Sequence, residues 1–449
     1  MLRALHVLRA LQMGACVVPL LVAAACSSTS TATPDTALQR TPRPVRPATP
    51  SPIEHVVIVV QENHTFDGHF GRYCSAPAGS VPTCTTGPAC CEAPPATEPS
   101  GSAPIVLDDD ANGSYDPNHT QACELVEIDD GKMDHFVTGG DSNCSNPNNF
   151  AIAAATVVNP YHDYASQYAI ADRYFQSIAG QSSANDMYLA VAKFVFLDNT
   201  VKPDATGKEC NLTEMTARFD GTTIADLLVA KQKTINFYAE GYAAAKASPG
   251  QCPKAPDDCG LGLPLYPCSF DPGDIPFLYY KQFATSPDFM KDYGELAGDL
   301  TKGTLPNVAY VKAIGYRSEH PGYKTALSPG VAFVDNLVKS ILASSYKDNT
   351  LVLVTWDEGG GYFDHVSPPA TNPADGKPYG TRVPLLALGR FAKENYVSHV
   401  PMEHSSIVKF LEWNFLGGMT GQLGGRDANV NNLGSLLDPT QTVTPVPEN

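Results

Sequence analysis

The chain has 449 residues, 43% of them hydrophobic and 17% charged, with a formal net charge of -17. That apolar content supports a sizeable core, and α/β enzymes of this size often fold as one domain. The negative balance excludes a surface built to hold nucleic-acid phosphates or anionic lipid by charge.

The amino terminus has the form of an export signal. Arg3 and Arg9 precede an apolar segment, Met13 to Ala25, that ends in Ala23-Ala24-Ala25-Cys26. Small residues before a cysteine resemble a bacterial lipoprotein cleavage site. Residues 1–25 would then be removed, and Cys26 would become the lipidated first residue. The chain is thus expected outside the cytoplasm of a bacterium, as a cell-envelope lipoprotein attached to a membrane or as a secreted protein. Residues 26–52, rich in Ser, Thr and Pro, are expected to be a disordered tether. No other segment reaches the ~18 apolar residues that span a bilayer.

Next comes Val56-Val57-Ile58-Val59-Val60, a run without alternation, as in a strand buried on both faces. It stops at Gln61 and is followed at once by Glu62, Asn63 and His64. Residues 72–113 and 243–272 lack an apolar period and carry cysteines, as inserted loops do. Ten cysteines remain after Cys16 and Cys26, an even number that points to disulfides in an exported chain, with the pairing open. Zinc held by Cys84, Cys90 and Cys91 is the alternative, although no paired Cys-x-x-Cys spacing occurs.

Further along, helices are expected over Tyr161 to Gln176, Ala184 to Phe194, Ile224 to Lys233, Ala332 to Ser345 and Ser405 to Phe415. Strands are expected over Ile235 to Tyr238, Asn307 to Ala313, Leu351 to Trp356 and Arg382 to Gly389. The alternation implies an α/β fold with a mostly parallel sheet covered by helices on both faces.

The strand from Leu351 ends in Asp357-Glu358, as the first ends in Glu62-Asn63. In open α/β sheets ligands bind beyond the carboxyl ends of strands, so the four residues would share one rim. Hard oxygen donors gathered there suit a divalent cation, calcium or magnesium in preference to zinc. Ser182 or Ser183 would begin a helix, where backbone N–H groups favour negative charge, and a nearby cation would activate the Ser182 hydroxyl. The plain alternatives are a helix cap for Ser182 and a loop cap for each acidic pair. His119, His135, His320, His365 and His404 are the histidines to place. His320 and His365 stand out because each follows a strand or an acidic loop. Gly359-Gly360-Gly361 lacks the Lys-Ser/Thr of a phosphate loop.

Glu62-Asn63-His64-Thr65-Phe66-Asp67 followed by Phe70-Gly71 resembles the opening signature of the bacterial phosphoesterase family. That family contains phospholipases C and an acid phosphatase, within the alkaline-phosphatase-like superfamily. Gly131 to Asp134, Gly180 to Asn185, Thr355 to Val366 and Glu403 to Ile407 are similar to its later motifs, in order. Arg426 to Leu437 resembles its carboxyl end. The resemblance implies one phosphoesterase domain over 53–438 and a short tail to residue 449. It also implies a single metal held by Glu62, Asn63, Asp357, Glu358 and Ser182, with Ser182 as nucleophile where relatives more often carry Thr. His119 and His320 match phosphate-contacting positions, and His365, singled out by its place after an acidic loop, is expected to be a further catalytic residue. The chain departs from the family at Asp274, where relatives carry histidine near Pro-Phe. Unless turned away or protonated, Asp274 would repel a phosphate dianion.

The resulting expectation is an exported, metal-dependent phosphoric ester hydrolase, an acid-phosphatase-type monoesterase, with a phosphate ester as substrate. A phospholipase C acting on phospholipid head groups is the alternative within the class. Outside it stands an inactive surface lipoprotein that binds phosphorylated ligands.

Overall fold

The run Val56 to Val60 lies at the centre of an eight-stranded sheet. The computed structural model describes residues 51–449 except 264, 443 and 449. The leader, Cys26 and nearly all of the expected tether lie outside the described residues.

The sheet strands are β1 (His55–Gln61), β2 (Ala169–Ala171), β3 (Ile235–Ala239), β4 (Met290–Asp292), β5 (Val308–Lys312), β6 (Thr350–Trp356), β7 (Leu385–Leu388) and β8 (Tyr396–Ser398). Their spatial order is β8-β2-β7-β6-β1-β5-β3-β4. β1 lies parallel between β5 and β6, with Val60 opposite Lys312 and Gln61 opposite Trp356. That register delivers Glu62 and Asp357 from neighbouring strands at one level. Only β7 runs against its neighbours, so the sheet is mostly parallel, as expected.

Five helices bear on the argument: α1 (Ala155–Gln167), α2 (Ser182–Val191), α3 (Ile224–Ala230), α4 (Leu327–Leu342) and α5 (His404–Phe415). α4 packs against α1, while α5 packs against α2 and α3. Every residue of β6 is buried, which requires cover on both faces of the sheet. α4 buries Leu327, Val331, Val334, Leu337, Val338 and Ile341, a stripe at three- and four-residue spacing. α2 is buried along its whole length although it carries Ser182, Asn185 and Asp186. Asn185 is satisfied locally, accepting from Ile178 N at 3.0 Å and donating to Gly180 O at 2.7 Å. Among the described residues, no helix is long and apolar enough to cross a membrane.

Three element expectations need correction. The helix expected over Tyr161 to Gln176 stops at Gln167, and the chain turns into β2 and then a short pairing of Tyr174–Phe175 with Met402–Glu403. Its apolar residues fit either period, and cross-strand pairing decided the outcome. The helix expected from Ala332 begins at Leu327. The strand expected over Arg382 to Gly389 shortens to β7 and is the reversed one.

All ten cysteines after Cys26 are paired: Cys74–Cys91, Cys84–Cys90, Cys123–Cys144, Cys210–Cys252 and Cys259–Cys268. This removes the zinc alternative, since Cys84, Cys90 and Cys91 each already hold a sulfur partner. Thiol titration of the denatured, unreduced mature protein should find no free sulfhydryl. Several free thiols accompanied by bound zinc would contradict these pairings.

Candidate active site

The carboxyl ends of β1 and β6 meet the first turn of α2. β1 stops because Asn63 adopts a left-handed conformation, φ 61°, which asparagine tolerates better than most residues. The return loop of β6 passes so close that a Cβ on Gly360 would lie 2.5 Å from the Asn63 carbonyl oxygen. The two strand ends are also tied directly. Asp357 Oδ1 accepts hydrogen bonds from Asn63 N at 3.1 Å and from Glu358 N at 2.8 Å.

Around this junction the structure gathers most of the residues singled out in the sequence. Ser182 Oγ donates to Glu358 Oε1 at 2.9 Å and lies 3.4 Å from Asn63 Oδ1. Asn63 Nδ2 lies 3.1 Å from His320 Nε2 and 3.5 Å from His119 Nε2. His119 Nε2 is 3.8 Å from Glu358 Oε1. Each imidazole sets its Nδ1 2.7 Å from a backbone carbonyl, that of Pro117 or of Pro321. The carbonyls fix the protons on Nδ1 and leave both Nε2 atoms facing the cluster. Glu62, Asn63, His119, Ser182, Asp357 and Glu358 are all buried.

Three neighbours escaped the sequence reading. Lys312, at the end of β5, places Nζ 2.8 Å from Glu62 Oε1 and 4.0 Å from Asp357 Oδ2. The hydroxyls of Tyr266 and Ser318 donate to Glu62 Oε2 at 2.7 and 2.8 Å. A lysine closing an apolar strand was the one available signal. Tyr266 sits inside the loop closed by Cys259–Cys268 and carried none.

Burial dominates the electrostatics. It works to raise the Glu62 pKa, yet the adjacent Lys312 ammonium holds that carboxyl down at about 2. Asp357 and Glu358 are pushed up, first by burial and then by the charge of Glu62 and of Asp357 respectively. Asp274 is pushed well up, first by burial and then by the charge of Glu62. Burial lowers the His119 pKa. Asp357 Oδ2 and Glu358 Oε2 are buried with no hydrogen-bond partner. Orphaned carboxylate oxygens beside an amide oxygen and a hydroxyl fit a hard divalent cation. Beside them, Asp116, His119 and His320 each offer one donor atom within 4.8 Å of the others.

His365 is not part of this cluster. Its Nδ1 lies 2.8 Å from Asp67 Oδ2 and its Nε2 lies 3.1 Å from Glu92 Oε2. Arg382, wholly buried, donates to Asp364 Oδ1 at 2.7 Å and to Asp67 Oδ1 at 2.9 Å. With both ring nitrogens beside carboxylates, His365 acts as a brace outside the cluster around Ser182. His404 is a brace of another kind: its Nε2 lies 2.6 Å from the Asp357 carbonyl oxygen, and burial lowers its pKa to about 4. His135 groups with Asp129 and Asp134, away from Ser182.

Burial tends to lower the His365 pKa, but the Asp67 carboxylate outweighs it and the net shift is upward. A raised histidine contributes stability that is complete below its ordinary value near ~6.5 and fades as pH rises through the folded value. His365→Gln should therefore cost about 1–3 kcal/mol at pH 5.5 and distinctly less at pH 8.5. Denaturant unfolding of both proteins at the two pH values checks this, and a gap that widens at high pH contradicts the brace.

The Phosphoesterase family model matches residues 53–416, stopping short of the 438 expected from the carboxyl-terminal resemblance. The non-hemolytic phospholipase C of Burkholderia pseudomallei is 22% identical over 409 residues, covering 81% of this chain and 55% of that protein. Phospholipase C B of Mycobacterium tuberculosis is 23% identical over 434 residues, covering 86% of this chain and 78% of that one. This chain thus spans about half the length of the first relative. Among solved structures, a protein in the alkaline phosphatase superfamily from Vibrio parahaemolyticus has a TM-score of 0.36 at 13% identity, covering 85% of this chain and 72% of its own. That likeness is too distant to support any argument. The family match extends from just before β1 to the end of α5. It takes in both acidic strand ends, Ser182, His119 and His320, and the chain belongs to the phosphoesterase family.

Proposed function

We propose that the chain is an exported, metal-dependent phosphoric ester hydrolase that uses Ser182 as nucleophile and cleaves phospholipids as a phospholipase C. The observation that carries this reading is Ser182 Oγ at the start of α2, 2.9 Å from Glu358 Oε1, beside carboxylate oxygens left without partners. Glu62, Asn63, Asp357 and Glu358, with Ser182, would hold one divalent cation, for which calcium or magnesium suits the all-oxygen donors. When bound, such an ion lowers the pKa of a hydroxyl and offsets charge on a phosphoryl group.

The protein's own groups account for the remaining steps. Ser182 Oγ releases its proton along the hydrogen bond to Glu358 and attacks phosphorus in line. The bond from phosphorus to the leaving oxygen breaks as the bond to serine forms. The proton passes from Glu358 to His119 Nε2, 3.8 Å away, and on to the leaving alkoxide. Water then hydrolyses the phosphoserine. Positioning and charge stabilisation supply most of the rate, as is usual for phosphoryl transfer.

The names of the relatives favour a phospholipid diester over the monoester expected from the sequence. Phosphatidylcholine, a bis-aryl phosphate and an aryl phosphate, each with and without chelator, separate the readings. Release of diacylglycerol that chelator abolishes is the expected result. Preferential turnover of the aryl phosphate would restore the acid-phosphatase reading. No turnover of any of the three would leave an inactive binder of phosphorylated ligands.

Export draws support from the five disulfides, which persist in oxidising compartments. Mass spectrometry of the mature protein should find a lipid-modified Cys26 as its first residue. An unmodified residue further along would point to simple secretion.

A further inference from the structure

The deepest unexplained group in the cluster is Lys312. It ends β5 after Val308, Ala309, Tyr310 and Val311, all buried, and its own side chain is 3% exposed. A hydrocarbon side chain would fill that position without the cost of taking an ammonium out of water. Two carboxylates face it instead. Glu62 Oε1 lies 2.8 Å and Asp357 Oδ2 4.0 Å from Nζ. Asp186 lies four residues beyond Ser182 on the buried α2. Despite the short approach to Glu62, Nζ makes no hydrogen bond of good geometry, and neither do Asp357 Oδ2 and Asp186 Oδ2. This is how oxygens and a charge are arranged when the charge is treated as an ion rather than as a hydrogen-bond donor.

We infer that Lys312 is a resident cation that takes the place of a second divalent ion on the Glu62 side of the cluster. The inference rests on the cation reading of the Ser182 site. The site is then divided between two cations. Asn63, Ser182 and Glu358 face the proposed divalent ion alone, while Glu62 and Asp357 lie between it and the ammonium. The chemical class that would replace Lys312 is a hard divalent cation, because every donor on that side is a carboxyl oxygen. The covalently attached charge cannot be removed by chelator, so it stays 2.8 Å from Glu62 Oε1 when the divalent ion departs.

The test is ion counting. Wild type, Lys312→Met and Lys312→Arg are dialysed to equilibrium against calcium, magnesium or manganese and analysed for metal per chain. Lys312→Met should hold one more ion than wild type, whereas Lys312→Arg, which keeps the charge, should gain none. A folded Lys312→Met with the wild-type count and wild-type affinity overturns the inference, since a purely structural lysine would give that result. Should Lys312→Met fail to fold in chelator, added divalent ion must restore its melting transition. A variant that stays unfolded at saturating ion overturns the inference as well. Failure of the underlying cation reading looks different: wild type would then hold no ion at all, while the comparison of Lys312→Met with wild type would still report on Lys312.

Discussion

Replacing Ser182 by alanine should lower turnover by about four orders of magnitude or more while leaving the melting temperature nearly unchanged. At 1.36 kcal/mol per tenfold that is about 5 kcal/mol of lost transition-state stabilisation, more than removal of a single hydrogen bond would explain. The hydroxyl stands at the first position of α2, where the helix end favours negative charge. Its hydrogen bond to Glu358 gives the proton a path out. Alanine keeps the backbone and the small volume, so packing is spared. Ser182→Thr, which keeps a hydroxyl at that atom, should retain a measurable rate. Ser183 is the internal control: its backbone N–H donates to Asn199 Oδ1 at 2.8 Å and its side chain makes no contact with Glu358. Ser183→Ala should therefore remain active. The reverse pattern moves the nucleophile by one residue, and activity in both variants removes the covalent mechanism.

The second large effect is expected at Asp357. Asp357→Asn should lose both the bound cation and the activity. The substituted side chain can still accept at Oδ1 from Asn63 N and Glu358 N, so the junction between strand ends is retained. What changes is the free oxygen, Oδ2, which becomes an amide nitrogen 4.0 Å from the Lys312 ammonium and can no longer ligate a cation. An ion that binds only the folded state stabilises it by about 2.7 kcal/mol at a hundred times its Kd. Adding the ion should therefore raise the melting temperature of wild type and leave Asp357→Asn where it was. Elemental analysis and calorimetry on both proteins, before and after exhaustive chelation, measure the two halves of this. Wild type that stays fully active with no metal after chelation would remove the cation from the mechanism.

Some of this was legible in the one-dimensional pattern. Val56 to Val60 and Leu351 to Val354 are apolar without alternation, a pattern that demands a strand covered on both faces. That pattern implies the α/β class and parallel neighbours for both strands. Polar residues following such runs at once, Glu62-Asn63 and Asp357-Glu358, mark strand ends on one rim, because parallel strands all end on the same side. The even cysteine count likewise pointed to disulfides, but any pairing of ten cysteines fits a count, and the partners followed only from the folded loops.

Other features depended on contacts between residues far apart in sequence. Ala169 to Phe175 carries apolar residues compatible with a helix or a strand, and pairing with β7, β8 and Met402–Glu403 chose the strand. His365 and His320 have similar local sequence credentials. Tertiary placement set one between Asp67 and Glu92 as a brace and the other against Asn63 at the cluster. Lys312 and Tyr266 reach Glu62 across 250 and 204 positions of chain. Local sequence can specify that a residue ends a strand or lies in a stapled loop. Which charges share a buried volume, and so which carboxyls ionise and which remain without partners, is decided by packing in three dimensions.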